Sequence, residues 1–288
     1  MMLLLAIAIS PLPALAGAEV RPSSPYPTPA TTGLPAGAQL TDLIPNGVDP
    51  DGDPVYYAQA GDVIDHRRLT VGLEIRGDDV MIKDSEIYGT ISNYTGHWRF
   101  TVVDSTVGAP DGNGCNSNVA LQFDNYTALR VRVRNFADAF RATTPDGDSD
   151  ILIEDSYAKL CSNPGDHSDG FQGYYGGRNV LLLHNTIDQR YAPSHTAPVF
   201  NSDGSKGIAL IDNLLMGGSF TVRVDSDGTT SLVLSNKIVD GAWDFGPVRG
   251  VGPDDTSDCP LLIWANNSLV RIDADYRITE IVGPLPCA

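Results

Sequence analysis

The chain has 288 residues, 42% of them apolar, enough for a sizeable core, so disorder throughout is excluded. Only 19% are charged, whereas Gly (29) and Pro (20) are abundant, which excludes a coiled coil or helical bundle and favours many short strands joined by turns. A net charge of −17 repels nucleic acid and anionic membrane, and an acidic sugar polymer too unless bound cations or a local basic strip reverse the field.

Residues 1–16 read as a signal peptide. Met1 to Ile9 is an unbroken apolar run, stopped by Ser10, Pro11 and Pro13, and Ala14-Leu15-Ala16 has the small-x-small form of a cleavage site, although no Lys or Arg precedes the run. The run is too short to span a bilayer and no later segment suits that role, so a secreted, extracellular protein is expected. Residues 17–39, rich in Pro, Ser, Thr and Ala, read as a disordered spacer, and residues 40–288 as the folded domain.

The folded part repeats itself. Alternating apolar residues followed by Asp or Asn recur with the Asx at Asp84, Asp104, Asn135, Asp155, Asn185, Asn213, Asn236 and Asn266, at spacings from 20 to 31 residues. A second column, Phe140, Phe171, Phe200, Phe220 and Phe245, falls between copies of the first. Each repeat therefore carries at least two strands separated by a bend. Short strands in coils of variable loop length describe a single-domain, all-β parallel β-helix of about eight to ten coils, with the Asx at a bend and the Phe rings stacked inside. A β-propeller lacks its blade signatures here, and a β-sandwich would not repeat an Asx after every strand.

Cys115, Cys161, Cys259 and Cys287 are widely spaced without a CxxC pair, which does not suit zinc. Of three possible pairings, Cys115–Cys161 and Cys259–Cys287 are favoured, each nearest in sequence and in loop-like surroundings; four free buried thiols are the other possibility.

The stretch Leu73-Glu74-Ile75-Arg76-Gly77-Asp78-Asp79-Val80-Met81-Ile82-Lys83-Asp84-Ser85 resembles the opening coils of secreted bacterial right-handed parallel β-helix repeat proteins, the pectate-lyase-like superfamily. Asp150-Ile151-Leu152-Ile153-Glu154-Asp155-Ser156-Tyr157, followed by Gly165-Asp166-His167-Ser168-Asp169-Gly170-Phe171-Gln172, is similar to their mid-domain signature. The resemblance covers most of residues 40–288 and implies a right-handed helix. It is poor for function, because the superfamily holds lyases, epimerases, hydrolases, tail spikes and proteins without activity. The Asp-Gly-Phe step also resembles a polygalacturonase motif, but the paired Asp one coil later and the Gly-His-Gly of those hydrolases are missing.

In such a solenoid, side chains one coil apart stack about 4.8 Å apart, so distant residues become neighbours. The residues after the Phe column, Arg141, Gln172, Asn201 and Thr221, are expected to face outward as a polar strip for a sugar chain. Asp166, His167 and Asp169 lie just before it, Asp138 one coil earlier, and Tyr174 and Tyr175 could stack on sugar rings. Removing a proton next to a uronate carboxylate needs a neutraliser, for which Arg141 is available, and a base, for which His167 is available, with Asp169 beside them. The plainer readings are a turn residue for Asp169 and a surface-loop histidine for His167. Arg130, Arg132 and Arg134 could hold a polyanion, or form salt bridges to Asp150 and Glu154. Asp146, Asp148 and Asp150, like Asp49, Asp51 and Asp53, resemble the start of a calcium loop without its distal Glu. Calcium is thus the candidate cofactor, and a bridging cation would suit an acidic substrate on so acidic a protein. The expectation is a monomeric lyase or epimerase acting on an acidic, uronate-containing polysaccharide; the alternative is a non-catalytic glycan-binding or envelope-associated β-helix.

Overall fold

The computed structural model describes residues 25–144, 147–202, 204–224, 229–249, 259 and 262–287; the proposed signal peptide lies outside them. The described residues contain strands and no α-helix, gathered into sheets of eleven, ten and nine strands, here called A, B and C. From Val63 onward the chain visits C, A and B in turn: Val63–Asp65, Arg67–Leu69 and Gly72–Ile75, then Val80–Lys83, Glu86–Ile87 and Ile91–Ser92, and so on. Nearly every pairing is parallel, between a strand and its counterpart one circuit later. This order is consistent with a parallel β-helix. The ladders end in antiparallel pairs, Gly47–Val48 on Pro54–Ala58 in sheet B and Ser268–Ile272 on Ile278–Pro284 in sheet A. Such closing hairpins blunt edges that would otherwise invite another chain.

The alternation of side chains gives each sheet one inner column. In sheet C it runs Ile64, Ile82, Val102, Ala128, Ile153, Leu182, Leu210 and Val233, each in register with the next. In sheet B it runs Leu73, Ile91, Leu121, Phe140, Phe171, Val199 and Val222. These residues are buried in one continuous core with the matching column of sheet A. Burial of each large side chain contributes about 1.5–3 kcal/mol.

The bend between sheets C and A resolves the Asx repeat into two adjacent positions. The first takes a left-handed backbone at His66, Asp84, Asp104, Arg130, Asp155, His184, Asp212, Ser235 and Asn266, a region that Asp, Asn and His tolerate best. Where the second is Ser or Asn, it accepts a backbone N–H from the preceding coil. Ser156 N–H donates to Asn185 Oδ1, Asn185 to Asn213, Asn213 to Asn236 and Asn236 to Asn267, each at 2.9 Å. Asn185, Asn213 and Asn236 also donate from their side-chain amides to the next Oδ1 at 3.0 Å.

Four expectations are corrected. Asn135 is not in the Asx column; it turns the chain from sheet A to sheet B, and the true copy is Tyr126–Leu129, whose hinge residue is Arg130. The Phe column holds only for Phe140 on Phe171: Phe171 pairs with Val199, Phe200 falls in the adjacent row, Phe220 pairs with Gly246, and Phe245 is 75% exposed. Arg130 bonds Asp104 through two contacts of 2.6 Å and Arg134 reaches Glu86 at 2.6 Å, so these arginines reach back to earlier coils rather than forward to Asp150 and Glu154. Finally, the expected spacer is ordered from Pro25. Tyr26 Oη donates to Asp212 at 2.7 Å and its ring stacks on His184, while Gly33 N–H bonds the Arg130 carbonyl and Leu34 N–H bonds Thr106. This segment runs as a strap along the solenoid, and Tyr26 packs with Tyr276 of the closing hairpin over Leu214 and Met216.

Both expected disulfides are present, Cys115–Cys161 and Cys259–Cys287, with Cα atoms 5.8 and 5.7 Å apart. They suit an oxidising compartment. Among the described residues no helix is long and apolar enough to cross a membrane.

Candidate functional site

Sheet B carries the row on which the candidate site residues Arg141 and Gln172 fall. Arg141, in Phe136–Ala142, pairs with Gln172, in Ser168–Tyr174; Gln172 pairs with Phe200, in His195–Ser202; and Phe200 pairs with Arg223, in Phe220–Val224. The Arg223 guanidinium lies 4.5 Å from the centre of the Phe200 ring, a cation–π contact. Arg141 Nη2 donates to Asp138 Oδ2 at 3.0 Å, whereas Arg141 Nε and Gln172 Oε1 are buried without a protein partner. A buried polar atom left unpaired costs about 1–3 kcal/mol, so these two adjacent atoms mark a place where the row's hydrogen bonding is incomplete.

Behind this row lies a carboxylate ladder at the heads of the strands. The Asp169 backbone N–H donates to Asp138 Oδ1 at 2.8 Å, and the Ala197 N–H donates to Asp169 Oδ1 at 3.0 Å. Burial, followed by the negative charge of Asp138, holds the Asp169 carboxyl well above the usual carboxylate range. Burial pushes Asp138 up to about 6, against the opposing pull of the Asp169 N–H and of Arg141. Two stacked carboxyls held apart in acidity, beside a guanidinium, form an arrangement able to keep one proton and offer one charge.

The loop before Asp169 is tied to the disulfide. Asp166 accepts the Asn163 N–H at 2.6 Å, and Asn163 Nδ2 donates to the Cys115 carbonyl and to Ser117 Oγ. His167 is exposed on this loop. At the other end of the strand, Tyr174 and Tyr175 are exposed with rings 4.7 Å apart, edge to face. Asp138, Asp169, Arg141 and Gln172 are thus brought together, with His167 and Asp166 at one end and the two tyrosines at the other. Asn201 departs from its expected place: it pairs with Gly173, is 1% exposed, and donates Nδ2 to the Lys206 carbonyl at 2.9 Å. Thr221 is likewise buried, and Phe200 and Arg223 occupy the outward positions instead.

Of the calcium candidates, Asp146 lies outside the described residues. Asp148 takes Arg178 at 2.8 Å and Asp150 takes Asn179 Nδ2 at 2.9 Å, so each is engaged with the next coil. Asp49 accepts the N–H groups of Asp51 and Asp53, which makes that segment an Asx turn. Among the described residues Asp65, His66 and Asp84 place ligand atoms within 4.8 Å of one another, but Lys83 Nζ, 3.0 Å from Asp65, already supplies a positive charge there.

Sequence reasoning passed over His97 and Asp124. His97 Nδ1 bonds the Asp124 carboxylate at 2.8 Å, and Asp124 is 2% exposed, with further contacts from Thr144 Oγ1 at 2.7 Å and Asn93 Nδ2. Their separation of 27 residues matches the repeat, the one signal that sets them side by side. Compared with known proteins, the chain matches no family model, no curated protein and no solved structure.

Proposed function

We propose that the protein is an exported, monomeric, single-domain right-handed parallel β-helix of eight to ten coils, acting as a lyase or epimerase on a uronate-containing polysaccharide bound across sheet B. The observation that carries this reading is the Arg141–Gln172 pair, with an orphan donor and an orphan acceptor side by side on an outward row. Arg141 and Arg223 make this row a local basic strip on a protein of net charge −17, the condition under which an acidic polymer can approach. In this reading Arg141 neutralises the substrate carboxylate and thereby acidifies the adjacent C–H. His167 accepts that proton. In a lyase the electron pair then forms a carbon–carbon double bond as the glycosidic C–O bond breaks and the departing oxygen takes a proton from water; in an epimerase water on the other face returns a proton to the carbon. Asp138 orients Arg141, and Asp169 fixes Asp138 from behind. Calcium bridging substrate and acidic loops is a further part of this proposal.

The near-complete burial of Asp169 favours a second reading, non-catalytic glycan binding by the same face, because a carboxyl 1% exposed does not itself reach substrate. The test is a panel of acidic polysaccharides, with and without calcium, followed by the absorbance of unsaturated uronates and by the ratio of epimers. A product from the wild-type protein is expected, with turnover lowered about a hundredfold in Arg141→Ala under conditions where circular dichroism shows the variant still folded. Binding without any product establishes the second reading, and absence of binding to every polymer overturns both.

A further inference from the structure

The bend that follows Ile91–Ser92 is more tightly fixed than a plain surface loop requires. The Asn93 carbonyl accepts the N–H groups of Gly96 and His97, and Asn93 Nδ2 donates to the carbonyls of Trp98 and Asp124. His97 is held in the left-handed region, with φ 54°, and its carbonyl takes Asn125 Nδ2 at 2.8 Å. A Cβ at Gly96 would stand 2.3 Å from the Trp98 indole nitrogen, so any larger residue here requires that ring to move.

This rigid bend presents aromatic surface to solvent. Tyr94 is 67% exposed and its ring lies 5.1 Å from that of Phe123, on the neighbouring coil. The His97 ring meets the same Phe123 ring edge-on at 6.4 Å. With Nδ1 on the buried Asp124, His97 has Nε2 left for an outside partner, and its side chain is 41% exposed. An aromatic face with one oriented hydrogen-bonding group beside it is suited to a pyranose ring, which has an apolar face and a rim of hydroxyls. A preformed surface of this kind loses little entropy on binding.

The bend also lies along the row already described. Ser92 pairs with Gln122, and Phe136–Ala142, which carries Arg141, is the next strand in sheet B. Two strand spacings, about 10 Å, separate the strand entering the bend from that of Arg141. Asp124 ties the two places together by bonding both His97 and Thr144, which lies just beyond Arg141 in the chain.

We infer that Tyr94, Phe123 and His97 form a separate sugar subsite for the polysaccharide held at Arg141, taking a pyranose ring against Tyr94 and a hydroxyl at His97 Nε2. This inference rests on the function proposed above. Calorimetric titration with oligogalacturonates and oligoalginates, from disaccharide to octasaccharide, tests it on the wild type, Tyr94→Ala, His97→Gln and Arg141→Ala. Tyr94 is exposed and His97→Gln keeps a hydrogen-bonding group beside Asp124, so neither change endangers the fold. The expected result is that Tyr94→Ala and His97→Gln weaken the octasaccharide about tenfold, equivalent to about 1.4 kcal/mol, and leave the disaccharide as in wild type, whereas Arg141→Ala weakens every length. If Arg141→Ala weakens binding but Tyr94→Ala does not at any length, the subsite is overturned and the function stands. An equal loss at all lengths in Tyr94→Ala also overturns it, since the bend would then belong to the Arg141 site. If the wild type binds none of these sugars, the proposed function fails and the subsite with it.

Discussion

Asp169 illustrates how a single residue couples acidity to stability. Its carboxyl is raised by burial and by the nearby Asp138, and Asp138 is itself raised to about 6, so the folded state prefers both in protonated form. Asp124 and Glu154 are raised as well, chiefly by burial, while Asp65 is lowered by Lys83 and His66 and works in the opposite sense. A raised folded-state value contributes stability that is fully present below the unfolded value of about 4 and is lost as pH rises through the folded one. For Asp138 the loss falls between about pH 4 and 6 and is on the order of 3 kcal/mol; for Asp169 it extends higher. The thermal midpoint is therefore expected to fall between pH 5 and pH 7. Asp169→Asn keeps the acceptor for the Ala197 N–H without the charge, so it should raise the midpoint at pH 7 and flatten the profile. A pH series of melting curves checks this, and a variant that melts lower than wild type at pH 7 refutes it.

At the scale of the element, the bend between sheets C and A is held by a chain of amides whose members stand 28, 23 and 31 residues apart. Asn213→Ala removes the acceptor for both the N–H and the side-chain amide of Asn185, in a place without water access. A loss of about 2–4 kcal/mol is expected, read from denaturant unfolding, while an exposed change such as Tyr94→Ala should stay within about 0.5 kcal/mol. The inner columns were legible in the sequence because a strand buried on one face must alternate with period two. The hinge at Arg130 was not, because Arg does not mark a left-handed position, whereas the alternation of Val131 and Val133 imitated the preceding strand. The Phe column failed for a related reason. The pairing of Ser168 with His195 and of Asp169 with Ala197 leaves one extra residue, Thr196, and that single step moves Phe200 out of the inner column. Arg141 and Gln172 were legible as neighbours because no such irregularity lies between them. His97 and Asp124 were hidden in loops, where neither alternation nor composition marks a contact.

For the whole molecule, the first and last described segments converge on one face. The strap at Tyr26 and the closing hairpin at Tyr276 cover Leu214 and Met216, and Tyr276 reaches further, to Tyr157 at 2.6 Å and Asp188 at 2.9 Å. Asp188 in turn takes Arg190 at 2.9 and 2.8 Å, so the hairpin is anchored on an ion pair several strands from its own. An array of stacked coils with only nearest-neighbour contacts is free to fray from either end. Clasped in this way, the coils from Tyr157 to Val270 should exchange their amide hydrogens as one cooperative unit, and Tyr276→Phe should split that unit so that the last coils open first. Uniform exchange in both proteins would show that the clasp adds nothing.

The same clasp imposes a timetable on synthesis. Coils can stack as soon as their neighbours exist, but Tyr157 meets Tyr276 only after 119 further residues have been made. A chain emerging from its amino end therefore holds Leu214 and Met216 covered by Tyr26 of the strap but not yet by Tyr276, until the closing hairpin arrives. Through that interval the outer face of sheet A stays unlatched, a condition that ends in a single closing step when the hairpin carrying Tyr276 folds back.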